Sequence, residues 1–165
     1  MIVYHGGIIS VEKPKIMDPV RTLDFGNGFY TTTNKEQAEN WIKIKARRQN
    51  VQTGVLSIYE IPDEFYKEKK LRTMVFEGAT EEWLQFIMSN RLNKNFKHSY
   101  DIVCGPVADD RVYTCLNAFE NRFMTFEAAI QELRTYKLAD QISFHTVSGL
   151  QMIKFITSEV FEERR

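Results

Sequence analysis

A chain of 165 residues is long enough to bury a core without help from a metal or a disulfide, and it fits one domain spanning 1–165. Apolar residues make up 43% of it and Phe occurs twelve times, which excludes a disordered polypeptide. Lys plus Arg (22) balances Asp plus Glu (22), so bulk charge gives no reason to expect a polyanion partner.

The N-terminal Met1-Ile2-Val3-Tyr4-His5 lacks the basic and apolar segments of a leader, and no apolar run approaches the ~18 residues of a membrane span. A cytoplasmic location without membrane contact is therefore expected. Ile2-Val3-Tyr4 reads as a first strand stopped by Gly6-Gly7, and Lys13 to Arg21, with Pro14 and Pro19, as loop. Gly26-Asn27-Gly28 reads as a tight loop that tolerates positive φ and close approach by another group. Tyr30 then stands where the loop becomes a strand. Asn34 with Gln37 three residues later predicts a capped helix carrying Ala38, Trp41, Ile42 and Ala46 on one face. Lys43 to Arg48 on that helix reads as a solvated basic face.

Strands are predicted over Gly54 to Ile61, Leu71 to Phe76, Tyr100 to Val107 with an interruption at Gly105-Pro106, and Gln141 to Phe144. Thr80 and Thr125 predict capped helices with Leu84, Ile87, Met88 and Leu92 on one face of the first, and Phe126, Ala129, Ile130 and Leu133 on one face of the second. Leu150 to Ile156 reads as a last short helix before the charged tail Glu162 to Arg165. Strands and helices alternate without a βαβ rhythm, which places the chain in the α+β class.

Most chemical motifs fail by context. Asp24-Phe25-Gly26 has no kinase phosphate loop or His-Arg-Asp segment around it. His5, His98 and His145 form no ligand pattern, and Cys104 and Cys115 match no zinc spacing, so no metal is expected. No Gly-x-Ser-x-Gly elbow is present. Asp109-Asp110-Arg111 reads either as a helix start, with acids at the positive dipole end, or as a polar functional cluster. By itself, Asp24 to Thr33 is accounted for by an ordinary hairpin turn.

The ordered set is more specific than its members. Tyr4-His5-Gly6, Asp24-Phe25-Gly26-Asn27-Gly28-Phe29-Tyr30-Thr31-Thr32, Gly105-Pro106-Val107-Ala108-Asp109-Asp110 and Gln141-Ile142-Ser143-Phe144-His145-Thr146 resemble an uncharacterised bacterial family of the ADP-ribosyltransferase superfamily. The resemblance implies split sheets that clasp NAD, with flanking helices. It implies that His5 bonds a ribose hydroxyl, that Gly6 holds the nicotinamide amide through its backbone, that Gly28 shapes the loop beside the cofactor, and that Tyr30 stacks on the nicotinamide ring. His5, Tyr30 and Gln141 are then expected to line one cleft.

Gln141 stands where that superfamily usually has a Glu. Cleaving the bond to nicotinamide builds positive charge on the ribose, which a carboxylate stabilises and a Gln does not. Asp109 and Asp110 are the expected substitutes. The resemblance implies an NAD-dependent ADP-ribosyltransferase or NAD glycohydrolase. Its acceptor would be a protein or nucleic acid, as in a bacterial toxin or defence effector with an antitoxin partner. The alternatives are a non-catalytic NAD- or nucleotide-binding module and a purely structural domain.

Overall fold

The computed structural model describes residues 1–18 and 23–162. The chain is α+β. Strands β1 (Ile2–Gly7), β2 (Phe29–Thr31), β3 (Thr53–Glu60), β4 (Thr73–Val75), β5 (Ile102–Pro106), β6 (Asp140–Phe144) and β7 (Lys154–Glu162) alternate with five helices among the described residues. The helices are α1 (Lys35–Gln49), α2 (Glu81–Leu92), α3 (Asp110–Glu120), α4 (Phe126–Arg134) and the single turn α5 (Val147–Leu150).

Two sheets form, one in the order β1-β3-β7 and one in the order β2-β6-β5-β4. Every pairing is antiparallel except β4 with β5. A single bridge, Tyr4 opposite Thr32, joins the sheets at the β1/β2 boundary. Tyr4 N donates to Thr32 O at 2.8 Å and Thr32 N to Tyr4 O at 3.0 Å. The strands thus run β4-β5-β6-β2-β1-β3-β7 across a sheet split at its middle.

Strand alternation sorts the core into layers. Val3, Phe29, Tyr59, Ile61, Ile102, Ile142 and Phe144 pack together between the sheets. Phe25, Trp83, Leu84, Ile87, Val103, Val112, Leu116 and Leu133 form a second core under α2, α3 and α4. Ala38 and Ile42 seat α1 on Leu56 of the first sheet.

Local side-chain chemistry sets the helix starts. Asn34 accepts from Gln37 N at 3.0 Å, Thr80 from Trp83 N at 3.3 Å and Thr125 from Ala128 N at 3.2 Å, as the sequence predicts. Asp109 takes the helix-start alternative, its carboxylate accepting from Arg111 N and Val112 N to cap α3.

Four expectations are corrected. Leu150 to Ile156 is not a helix, because α5 ends at Leu150 and the β-branched and aromatic run from Lys154 pairs with β3. Leu92 is 61% exposed, because α2 turns Trp83, Leu84, Ile87 and Asn90 inward instead. Gly105-Pro106 does not interrupt β5, since β4 pairs only as far as Cys104 and Pro106 needs no N–H on that side. Lys45 does not belong to the solvated face, as its ammonium turns inward onto Gly6. The loop expected over Lys13 to Arg21 is irregular as far as Asp18, and its remainder lies outside the described residues, as does the tail beyond Glu162.

Candidate functional site

The wedge where β1 and β2 part beyond their one bridge holds His5, Gly6 and Tyr30 of the sequence-predicted residues, while Gln141 lies on β6 and Asp109 and Asp110 at the start of α3. His5 sits on β1 with its ring stacked on Phe29, centroids 4.4 Å apart. Its Nδ1–H donates to the Tyr30 carbonyl at 2.7 Å, because a carbonyl can only accept. Burial, reinforced by the nearby Lys45 charge and opposed by the Tyr30 bond, pushes the imidazole down to about 3. The ring is therefore neutral at physiological pH, and its Nε2 carries a lone pair with no partner among the described residues.

Gly6 is held against α1. A Cβ there would lie 2.1 Å from the Ala38 carbonyl oxygen, so only glycine lets the helix backbone touch the strand. The Gly6 carbonyl accepts from Lys45 Nζ at 2.6 Å, and burial lowers that ammonium to about 8. Gly28 has a similar reason, as a Cβ would lie 2.6 Å from Phe144 O.

Three successive carbonyls of the Asp24–Gly28 loop each bond an aromatic side chain. Phe25 O accepts from His98 Nε2 at 2.7 Å, Gly26 O from the Tyr30 hydroxyl at 2.6 Å, and Asn27 O from His145 Nδ1 at 2.7 Å. Gly26 has φ +86°, which favours glycine. The Tyr30 oxygen also accepts from Phe25 N at 3.0 Å. Burial first and the Asp24 charge second raise the phenol well above its ordinary value, so it stays a donor.

His145 Nε2 takes the Ser143 hydroxyl at 2.8 Å, and His98 Nδ1 accepts from Tyr100 N at 3.2 Å. Burial lowers both rings, His145 to about 4. Of the three histidines, His98 and His145 have both ring nitrogens occupied, and only His5 keeps one open.

Gln141 is 3% exposed and sits beside a carboxylate. Its Nε2 donates to Asp24 Oδ2 at 3.4 Å and to Pro106 O at 3.3 Å. Asp24 also accepts from the Tyr113 hydroxyl at 2.5 Å and from Ala108 N at 3.2 Å. Burial raises the Asp24 carboxyl against the pull of these donors and of Arg91. The Arg91 guanidinium lies over the Tyr113 ring at 4.2 Å.

Tyr30 is opposite Ser143 on β6, and Gln141 follows on the same side, so these three face the helical layer. His5 lies on the other side with Phe29, between the sheets. The fold thus brings Tyr30 and Gln141 together and joins His5 to Tyr30 through a main-chain carbonyl, without placing all three side chains on one face. Asp109 is occupied in capping α3 and in an ion pair with Arg111 at 2.6 Å, and Asp110 is exposed on the first turn of α3. Neither has a bond to Gln141. Sequence reasoning missed Asp24 and Lys45. Lys45 stands seven residues beyond Ala38, a helical spacing that marks the inward face.

The histidines make folding acid-sensitive. Between about pH 4 and the ordinary histidine value near 6.5, the unfolded chain binds more protons than the native one, so stability rises with pH. Asp24, whose folded value is raised, acts in the opposite sense but alone. Urea midpoints are expected to correspond to a loss on the order of 2 kcal/mol per buried histidine between pH 7.5 and 4.5. Equal midpoints at the two pH values would contradict the neutral rings.

No helix among the described residues is long and apolar enough to cross a membrane, and no group of three or more His, Cys, Asp or Glu there could hold a metal ion. No curated protein and no solved structure matches the chain. The family described as "Protein of unknown function (DUF3990)" matches residues 1–155, nearly the whole length, and the chain belongs to that family.

Proposed function

We propose that the wedge between β1 and β2 binds NAD and that the protein transfers ADP-ribose from it to a macromolecular acceptor. The observation that carries this reading is the state of His5. Its Nδ1 is anchored across the wedge to Tyr30 O at 2.7 Å, and its neutral Nε2 is left open to accept from a ribose hydroxyl. The split sheet and the glycine-shaped loop beside Tyr30 support this reading.

In the reaction, the bond from ribose C1′ to the pyridinium nitrogen breaks. The electron pair leaves with nicotinamide, which becomes neutral, and the positive charge passes to the ribose. An acceptor nucleophile then bonds C1′ and gives up its proton to solvent. The chain's part is to hold the ribose through His5 and to fix the loop beside Tyr30. A toxin or defence role, with a protein or nucleic-acid acceptor and an antitoxin partner, is the biological setting proposed by resemblance.

The absence of a carboxylate at position 141 favours a second reading, a module that binds NAD without turnover. Calorimetric titration with NAD and an assay of nicotinamide release separate the two. Binding with release is expected. Binding without release supports the module, and no binding at millimolar NAD overturns both.

A further inference from the structure

We infer that β7 is an interface between two copies of this chain, which pair antiparallel along its open edge about a two-fold axis where the two Ser158 residues face each other. In the sheet of order β1-β3-β7, β3 takes one side of β7, and no strand among the described residues takes the other. Alternate N–H and C=O groups of this nine-residue strand therefore point to a free edge. The usual protections of such an edge are weak here. β7 contains no proline or glycine, its only lysine is its first residue, and its one irregularity is a bulge at Ile156, which has no partner in β3. The outer edge of the other sheet is β4, which is only three residues long. Phe155 and Phe161 anchor β7 to its own copy, the first with its ring centroid 5.8 Å from that of Tyr59. Ile156 and Val160 anchor nothing and are 49% and 72% exposed.

The chemistry of β7 is symmetric about Ser158. Pairing two copies there sets Thr157 against Glu159 and Ile156 against Val160, and at both ends it brings Lys154 of one copy beside Glu162 of the other. Opposite residues of an antiparallel pair share a face, so the axis of a symmetric pair must lie at a residue position and not between two. An axis at Glu159 would set that carboxylate against its own copy and Ile156 against Glu162, and like charges directly opposite destabilise a ladder. An axis at Thr157 would set Phe155 against Glu159 and Lys154 against Val160. Of these registers, the one at Ser158 alone matches apolar with apolar and base with acid. Glu159 is already neutralised by Lys35 at 2.8 Å, so the pairing adds no uncompensated acid at its centre. β3 separates β7 from β1, and the wedge beside β2 stays open in the dimer.

Analytical ultracentrifugation of the full chain is expected to show a dimer at about 100 μM and mostly monomer at about 1 μM, because one strand from each copy makes an interface at the small end of the specific range. Val160→Lys, at an exposed position, should weaken the dimer about tenfold or more by setting a charge against Ile156, and should leave the thermal midpoint of dilute protein unchanged. Lys154→Glu should also weaken it, and adding Glu162→Lys should restore it. Cysteine pairing reads the register. Ser158→Cys sets two thiols directly opposite, with Cα atoms about 4.5–5.5 Å apart and within reach of a disulfide, whereas Val160→Cys leaves them about 13 Å apart. On mild oxidation the first variant should form a covalent dimer. The second should not, and neither should wild type, whose free thiols are Cys104 and Cys115. A chain still monomeric at the higher concentration overturns the inference and leaves the edge to a strand of another protein. A dimer that Val160→Lys does not weaken overturns it as well, as does one that Val160→Cys cross-links and Ser158→Cys does not.

Discussion

Tyr30→Phe is expected to destabilise the protein by about 2–4 kcal/mol, although it removes a single oxygen. That oxygen donates to Gly26 O at 2.6 Å and accepts from Phe25 N at 3.0 Å, so its loss orphans two main-chain groups at once. Each buried group left without a partner costs about 1–3 kcal/mol. As a loop-to-strand aromatic known only from sequence, Tyr30 would be expected to tolerate Phe, since the ring would do the stacking. The structure gives the hydroxyl its own task, which is to close the loop whose neighbouring carbonyls are held by His98 and His145. Urea denaturation of the two proteins measures the difference. A shift under about 0.5 kcal/mol would show that water satisfies the loop and that the clamp does not organise it.

Gln141→Glu should be pH-dependent in a way that few surface changes are. It sets a second carboxylate about 3.4 Å from that of Asp24, in a site where both are almost wholly buried. Two such charges raise the pKa of the pair above ordinary carboxylate values. A carboxyl with a raised folded pKa contributes stability below its unfolded value, and that contribution is lost as pH rises through the folded one. The variant is therefore expected to match wild type near pH 4 and to fall below it by about 3 kcal/mol at pH 8. Nicotinamide release should not rise at neutral pH, because the added charge repels the carboxylate already present. Thermal midpoints at the two pH values test this. A constant difference between the proteins, or faster nicotinamide release by the variant at pH 8, would mean that Asp24 and position 141 do not share one site.

The parts of the fold that were legible in the sequence depend on near neighbours. Asn34, Thr80 and Thr125 each satisfy an N–H three residues on, so the caps of α1, α2 and α4 can be read from a short window. The glycine loop was legible for the same reason. What was lost depends on distant partners. The segment from Lys154 pairs with β3 far upstream, and nothing within it announces that an open sheet edge awaits it. Asp24 stands inside the most conspicuous motif, yet its role is set by Tyr113 and Gln141, 89 and 117 positions away. The choice of Asp109 and Asp110 as substitute acids followed from their place in a polar cluster at a strand exit. In space, Asp109 is occupied at a helix terminus and Asp24 adjoins Gln141. Gly6 was read as a backbone contact for a ligand. Its immediate necessity is the Ala38 carbonyl packed against it, a constraint that only the α1/β1 contact reveals.

Imidazole nitrogen NMR tests in one titration the proposed entry of NAD into the β1/β2 wedge and its capture by His5 Nε2. Without ligand, His5 should show a protonated Nδ1 and a bare Nε2, while His98 and His145 show both nitrogens engaged. On adding NAD to millimolar concentration, the His5 Nε2 signal should move saturably toward the position of a hydrogen-bonded nitrogen. The corresponding signals of His98 and His145, whose partners lie within the protein, should move less. A His5 Nε2 signal that stays in place at saturating NAD would contradict the site, whatever the protein is then found to bind.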